Sequence, residues 1–147
     1  TQLDPYFPAA GVALAGALYA VGHTGDAVAE LRRARDLFPD YAPGRGNLGA
    51  LLLLGGDAAA AIRELEAAGT LAPSVPEHAF NLGLAFYRLG DVVRARAAFE
   101  HVLELDPAFA PARRNLRWLD GRRQGQLVGD ELPVVSWVGA DVGLAPV

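Results

Sequence analysis

The chain has 147 residues, of which 52% are hydrophobic and 20% are charged, and its formal net charge at pH 7 is -4. This balance is typical of a folded domain rather than a disordered chain, and the acidic charge argues against general nucleic-acid binding. Because the sequence contains no cysteine, it excludes disulfides, thiol nucleophiles and thiolate metal sites.

The first seven residues resemble the end of an element that lies upstream. Leu3-Asp4-Pro5 copies Leu105-Asp106-Pro107, which closes the periodic part of the chain. We therefore interpret residues 1–7 as the end of a preceding repeat or as part of a leader. Thr1 is not an initiator methionine, so a processed start would indicate export from a bacterial cell, and without processing a cytoplasmic location is the expectation.

Residues 5–22 form an uncharged, apolar stretch that has to be distinguished from a membrane span. It is shorter than the roughly 20 apolar residues that a spanning helix requires, and it contains Pro8 and several glycines, so we expect no membrane span. The predicted helix is apolar on every side, as buried helices normally are. Its expected neighbour is an earlier repeat, the folded-back C-terminal tail or another subunit, and the alternative is an alanine-rich helix tolerated at the surface. We assign Val12, Leu14 and Leu18 to this assembly face.

The next two segments each predict two amphipathic helices joined by a short turn. In residues 76–109, apolar side chains recur at steps of three and four residues on both sides of a Gly-Asp turn. Residues 42–75 repeat the pattern around a Gly-Gly-Asp turn. Glycine can adopt the left-handed conformation that ends one helix, and a short polar side chain can cap the next. The predicted caps are Thr24, Asp57 and Asp91.

Prolines, asparagines and glycines each recur along the chain at a constant spacing of 34 residues. So many residue types that recur at the same spacing cannot arise by chance. The glycines mark the turn inside each helix pair, and the prolines mark the end of each pair. The series are Pro5, Pro39, Pro73 and Pro107; Asn47, Asn81 and Asn115; and Gly22, Gly56 and Gly90.

This pattern resembles the tetratricopeptide repeat family, whose unit is a helix-turn-helix of about 34 residues with an early Leu-Gly, a later alanine and aromatic residue, and a closing proline. The first unit of the chain is looser, since Ala15 replaces the early glycine and Leu18 replaces the aromatic residue. The matching residues are Asn47-Leu48-Gly49, Ala61, Leu65, Ala68 and Pro73, and then Asn81-Leu82-Gly83, Phe86, Gly90-Asp91, Ala95, Phe99 and Leu105-Asp106-Pro107.

The resemblance implies an all-α fold, a right-handed superhelical solenoid with an extended C-terminal tail. Repeats are expected at residues 8–41, 42–75 and 76–109, followed by a capping helix at 110–120 and an apolar tail at 121–147. The tail run from Leu132 to Val138 is rich in β-branched residues, which predicts an extended segment that packs on another surface. The candidate assembly residues in this run are Val134, Val135 and Trp137.

The resemblance also implies a binding site on the concave surface, which the first helix of each repeat lines in this family. The amides of Asn47, Asn81 and Asn115 are expected to bond the backbone of an extended peptide. The alternative is that they bond neighbouring helices of the chain itself. The other expected groove residues are Val12, Tyr19, Ala50, Leu53, Phe80, Leu84, Tyr87, Arg88, Arg114 and Trp118.

Residues of the types that act in catalysis or metal binding are present but scattered along the sequence. The three histidines have no ligand partner at helical spacing, and Ser74 and Ser136 have no base in a recognisable motif, so we predict no catalytic residue, no metal site and no cofactor. An arginine cluster near Asp120 forms a solvated cap with ion pairs, or it meets an acidic peptide or a phosphate surface. The residues concerned are His23, His78 and His101, and Arg113, Arg114, Arg117, Arg122 and Arg123.

Two functions agree with these features. The first is a non-enzymatic scaffold whose concave groove binds an extended peptide or a partner subunit. The alternative is a structural subunit that self-assembles head to tail, as an oligomer or a filament, through its uncapped first helix and its C-terminal tail. Both interpretations give a protein partner, either a peptide or further copies of the chain, and neither involves nucleic acid or a membrane span.

Overall fold

The computed structural model describes residues 7–123, with the backbone alone for residues 122 and 123. Within these limits the chain contains seven α-helices and no strand, which confirms the predicted all-α fold. No helix in this part is both long enough and apolar enough to span a bilayer. The helices are α1 (Pro8–Ala20), α2 (Thr24–Leu37), α3 (Ala42–Leu54), α4 (Ala58–Leu71), α5 (Pro76–Arg88), α6 (Val92–Leu105) and α7 (Ala110–Arg123).

The helices stack in consecutive pairs. Each odd-numbered helix up to α5 packs against the helix that follows it, and α7 packs against α6. Helix α1 also contacts α3, and α3 contacts α5, so these helices form one layer. We call α1, α3, α5 and α7 the inner helices, because they share one place in the period, and α2, α4 and α6 the outer helices. The stack buries apolar side chains continuously, as a solenoid must.

The turns inside the helix pairs follow the predicted chemistry in two of three cases. Gly22, Gly56 and Gly90 have φ angles of 88°, 91° and 82°, a conformation that L side chains rarely adopt. Asp57 and Asp91 cap the following helices, because one Oδ1 accepts from the Ala60 N–H and the other from the Arg94 N–H, both at 3.0 Å.

The predicted cap in the first repeat is wrong. Helix α2 already includes Thr24, and the residue before it is His23, which makes no side-chain capping bond. His23 lies one period before Asp57, so the cap position was readable from the repeat itself. An imidazole lacks the short oxygen acceptor that caps a helix start, and the His23 ring instead lies 3.6 Å from the Asp26 carboxylate.

Small residues on the inner helices allow large side chains of the outer helices to approach closely. A Cβ atom added to Gly83 would lie 2.6 Å from Cε1 of Phe99, and one added to Gly49 would lie 2.6 Å from Cγ of Leu65. Phe99 and Leu65 are fully buried. The early glycine therefore sets the distance between the inner and outer helix in the second and third repeats.

A buried carboxylate joins the first two repeats. Glu64 on α4 is 8% exposed, and its two oxygens accept from Arg35 on α2 at 2.9 Å and from Arg45 on α3 at 3.2 Å. The hydrogen bond to Glu64 is the main reason that the pKa of Arg35 is raised. Arg45 also donates from Nε to the Pro39 carbonyl at 2.8 Å, so the network includes the loop between the repeats.

Helix α7 is longer than predicted. It runs to Arg123, although the sequence suggested an end at Asp120. Gly121 is buried, and the preceding Asp120 forms an ion pair with Arg96 of α6, with Oδ1 and Nη2 2.9 Å apart, so the last turn is attached to the outer layer. Tertiary contacts therefore outweigh the helix-breaking preference of Gly121, which amounts to about 1 kcal/mol. The predicted apolar tail beyond residue 123 lies outside the described part.

Replacing Gly83 by alanine should destabilise the protein, because the new methyl group collides with the buried ring of Phe99. We expect a loss of about 1–3 kcal/mol in the free energy of unfolding, measured by urea denaturation. Gly69→Ala on α4 is the matched control, since nothing lies within 4 Å of its added Cβ. That variant should be neutral or up to about 1 kcal/mol more stable. Equal effects at both sites would contradict the close approach at Gly83.

Candidate functional site

Aromatic and basic side chains gather at the C-terminal ends of the inner helices. Tyr19 on α1, Leu53 on α3 and Tyr87 on α5 are each separated by one period. Trp118 on α7 extends this edge, because its ring lies 5.0 Å from the Tyr87 ring at an interplanar angle of 79°. Tyr19, Tyr87 and Trp118 are partly exposed. We call the surface formed by Tyr19, Tyr87, Arg88, Arg114 and Trp118 the aromatic edge.

The aromatic edge is held together by a contact between repeats. Arg88 donates from Nη1 to the Leu53 carbonyl at 2.6 Å, which fastens α5 to the last turn of α3. The remainder of the Arg88 guanidinium is available for a ligand, since the residue as a whole is exposed. Arg114, one turn before Trp118 on α7, is also exposed. The edge thus combines three partly exposed rings with two cations.

Four of the groove residues expected on α3 and α5 belong to the core instead. Leu53 is 0%, Phe80 1% and Leu84 2% exposed. The Phe80 ring packs between Phe99 and Phe109, with ring centroids 5.7 Å and 5.3 Å away. These side chains stabilise the stack and do not line an open surface. Sequence spacing alone does not separate the two apolar stripes of an inner helix, one of which faces the outer helix and the other the next repeat. Ala50, expected beside them, is equally buried.

The asparagine series is buried along its whole length. Asn47, Asn81 and Asn115 each have 0% exposure. Neither the amide nitrogen nor the amide oxygen of Asn115 has a hydrogen-bond partner among the described residues. Burying an amide without a partner costs a few kcal/mol. Asn115 is therefore the member of the series with unused hydrogen-bonding capacity, and it lies one turn before Trp118.

The assembly residues predicted on the first helix differ in how far they are exposed to solvent. Val12 is fully buried in the core formed with α2 and α3, so it cannot contact a partner, which corrects its assignment both to the groove and to the assembly face. Leu18 packs partly against the same core. Leu14, in contrast, is 48% exposed. Val134, Val135 and Trp137 lie outside the described residues.

A cavity of about 410 Å³ opens on the other side of the molecule, between α4, α5 and α6. Both His78 and His101 line it, whereas His23 lies in the turn between α1 and α2. His78 is 1% exposed and both ring nitrogens lack a partner in the described part of the chain, so burial lowers its pKa. The ring lies over Gly46, where an added Cβ would be 2.3 Å from Cε1. This contact was not predicted.

The remaining predicted polar groups serve local roles. The His101 ring lies 3.4 Å from the Glu104 carboxylate, one turn away on α6. Arg113 donates to the Pro107 carbonyl at the start of α7. Among residues 7–123 no three histidine or acidic side chains come together in a way that could hold a metal ion. The side chains of Arg122 and Arg123 lie outside the described part.

A sequence model of the tetratricopeptide repeat family matches residues 12–76 and 56–108. The chain belongs to the tetratricopeptide repeat family. The two matches overlap and together span most of the helical stack. No match was found among curated proteins.

Solved structures of tetratricopeptide repeat proteins share the fold. The first repeat domain of Spaghetti (RPAP3) bound to the HSP90 peptide SRMEEVD has a TM-score of 0.76 and 20% identity, over 80% of this chain and 93% of that chain. MamA has a TM-score of 0.75 and 23% identity, over 83% of this chain and 71% of its own. The Yersinia enterocolitica type III secretion chaperone SycD, in complex with a peptide of the translocator YopD, has a TM-score of 0.72 and 17% identity. The match covers 77% of this chain and 92% of that chain.

The stability of the protein should fall as the pH drops through the range in which His78 would be protonated in the unfolded chain. Burial lowers the pKa of folded His78 below its ordinary value of about 6.5, so the unfolded state binds the proton first. The slope can reach about 1.4 kcal/mol per pH unit for one proton. His78→Gln should flatten the slope in urea denaturation between mildly acidic and neutral pH. His101→Gln is the control, because His101 is exposed. Parallel slopes for wild type and His78→Gln would contradict the buried neutral ring.

Proposed function

We propose that the chain is a non-enzymatic scaffold whose inner-helix surface binds an extended peptide or a segment of a partner subunit. The observation that carries this proposal is the aromatic edge, in which Tyr87 and Trp118 form an edge-to-face pair between exposed Arg88 and Arg114. Aromatic and arginine side chains contribute most of the binding energy in protein interfaces. Partly exposed rings that already pack against each other supply that energy with little loss of side-chain entropy.

The chemistry of the edge favours a peptide with apolar and acidic residues. Tyr87 and Trp118 provide flat apolar surface, and Arg88 and Arg114 can pair with carboxylates. The two arginines set the orientation of such a peptide through its carboxylates, and the rings select its apolar side chains.

Similar structures support this proposal. Spaghetti and SycD are both found with peptides bound, one from HSP90 and the other from YopD. Their identities to this chain are 20% and 17%, so they share its fold, and the peptide each one binds is a property of that protein. The bond from Arg88 to the Leu53 carbonyl and the pairing of Tyr87 with Trp118 are features of this chain. They shape its own binding surface.

Selection of peptides from a displayed random library tests the proposal. We expect the wild-type chain to select extended sequences that combine apolar and acidic residues. Tyr87→Ala should weaken the selected peptides at least about tenfold, or about 1.4 kcal/mol, because it removes a central ring. Arg114→Glu should weaken acidic peptides most, and the effect should shrink in high salt. Affinities are measured by isothermal titration calorimetry.

Arg63→Ala is the matched control for these variants, because Arg63 is exposed on the outer helix α4. It should leave the affinity unchanged. Circular dichroism of all variants separates loss of binding from loss of fold. If peptides bind Tyr87→Ala and Arg114→Glu as tightly as the wild type, the aromatic edge is not the binding surface.

A second candidate function is self-assembly through the first helix. Helix α1 carries no charged residue, and its neighbourhood exposes Phe7 at 64%, Leu14 at 48% and Val21 at 70%. Exposed apolar side chains grouped on one element are typical of interaction surfaces. A second copy that covers this face through a different surface of its own would form a head-to-tail contact, which builds rings or filaments.

Light scattering across a range of concentrations tests self-assembly. We expect the average mass to rise with concentration, because association buries the exposed face of α1, and Leu14→Asp should shift this rise to higher concentration. Val93→Asp is the matched control, since Val93 is 80% exposed on the outer helix α6, away from α1. A monomer at all concentrations, or equal effects of both variants, would count against assembly through α1.

A further inference from the structure

We infer that the cavity between α4, α5 and α6 is a second binding site, which takes a small neutral molecule with an apolar body and a hydroxyl group. The inference goes beyond the proposed function, because the cavity shares no residue with the aromatic edge and takes a ligand of another class. Three features of the cavity carry it: a buried imidazole without a partner, apolar walls, and the charges around the opening.

The first feature is His78, the most buried polar residue that lines the cavity. It shares one stripe of α5 with Val75, Ala79 and Leu82, which follow one another at steps of three and four residues and all line the cavity. His78 is 1% exposed, and neither ring nitrogen has a hydrogen-bond partner among the described residues. Because a buried polar group without a partner is destabilising, a ligand that bonds this ring gains free energy.

The orientation of the His78 ring selects one of its nitrogens. A Cβ atom added to Gly46 of α3 would lie 2.3 Å from Cε1 and 2.5 Å from Nδ1, but 3.5 Å from Nε2. The edge formed by Cε1 and Nδ1 therefore lies against α3, and Nε2 is the nitrogen turned away from it. Burial lowers the pKa of His78, so the ring is neutral at pH 7 and Nε2 either donates or accepts, according to the tautomer. A hydroxyl group does both, so it fits either tautomer.

The second feature is the size of the cavity and the character of its walls. The volume of about 410 Å³ lies within the range of small-molecule pockets, about 300–1,000 Å³. A cavity of roughly 150 Å³ already holds benzene in a protein core, so this one has room for two fused rings. Burial of such rings against the walls supplies most of the binding free energy, and the hydroxyl group fixes their position. The apolar lining residues are Leu65, Pro73, Val75, Ala79 and Leu82.

The third feature is charge, which favours a neutral ligand. Glu66 lines the cavity and is exposed, so its carboxylate repels an anion at the opening. A cation could pair with Glu66 there, but contact with His78 would place it among apolar side chains. No second acidic residue of residues 7–123 lines the cavity, so a cation at that depth would lack a counter-charge. A hydroxyl group needs none.

Binding of two probes with the same ring system to the full chain tests the inference. The probes are 2-naphthol and naphthalene, which differ only by the hydroxyl group, and their dissociation constants are measured by NMR titration. We expect 2-naphthol to bind at least about fivefold more tightly, because its hydroxyl bonds Nε2 of His78. A purely apolar cavity gives the reverse order, since naphthalene has no hydroxyl to remove from water. Equal affinities, the reverse order, or no binding of either probe would overturn the inference.

A spectroscopic signal and one variant test the contact with His78 itself. The ¹⁵N resonance of Nε2 should move when 2-naphthol is added and stay in place when naphthalene is added. His78→Leu keeps a side chain of similar volume and removes both nitrogens, so it should abolish the preference for 2-naphthol. A preference that survives His78→Leu would overturn the inference.

A second variant tests the cavity without touching the imidazole. Gly69 lines the cavity on α4, and nothing lies within 4 Å of an added Cβ, so Gly69→Leu should fill the space and weaken 2-naphthol at least about tenfold. Gly25→Leu on α2 is the matched control, because its added Cβ is equally free and it lies outside the cavity. Leucine is the better helix former, so both variants should fold. Unchanged affinity in Gly69→Leu would contradict binding in the cavity.

Competition separates this site from the aromatic edge, whose rings could also stack on the probe. Saturation with a library-selected peptide should leave the affinity for 2-naphthol unchanged, because the two sites share no residue. Displacement of 2-naphthol by the peptide would place the probe on the aromatic edge and overturn the inference. The titrations of wild type, His78→Leu and Gly69→Leu need no peptide, so their outcome is independent of the proposed scaffold function.

Discussion

The contact between a glycine of an inner helix and a large side chain of its outer partner determines the rest of the architecture. Leu65 over Gly49 and Phe99 over Gly83 leave no space for a Cβ atom, so the second and third helix pairs each close at one distance and one register. A fixed pair presents the same apolar face to the next pair, and repetition builds a continuous core. The alignment of the inner helices, and with it the aromatic edge, follows from this local constraint.

Stacking is then strengthened by contacts that differ from one repeat boundary to the next. Between the first two repeats the buried Glu64 binds two arginines from different helices. Between the second and third, Arg88 reaches the Leu53 carbonyl and His78 covers Gly46. At the last boundary, Arg96 pairs with Asp120. These polar contacts are specific to their positions, so they hold the register of the stack while the repeated apolar contacts provide most of its burial.

The periodic features of the fold were predictable, and the features that break the period were not. The turns at Gly56 and Gly90 and the caps at Asp57 and Asp91 follow from local chemistry and hold in the structure. Phe80 was expected at the surface, but its ring packs between Phe99 on α6 and Phe109, which lies in the loop before α7. Glu64 and His78 were missed because their environments combine residues from several helices. The sequence therefore predicts which helices form the candidate site. Which of their side chains remain exposed depends on packing between the helices.

The central claim is that the aromatic edge, and not the cavity on the opposite side, is where the chain binds a peptide. The most direct measurement is NMR chemical-shift mapping with one library-selected peptide. The account predicts the largest shifts at the Trp118 indole and the Tyr87 ring, with smaller ones along α3 and α5. Shifts confined to Thr70, His78 and His101, which line the outer cavity, would contradict it.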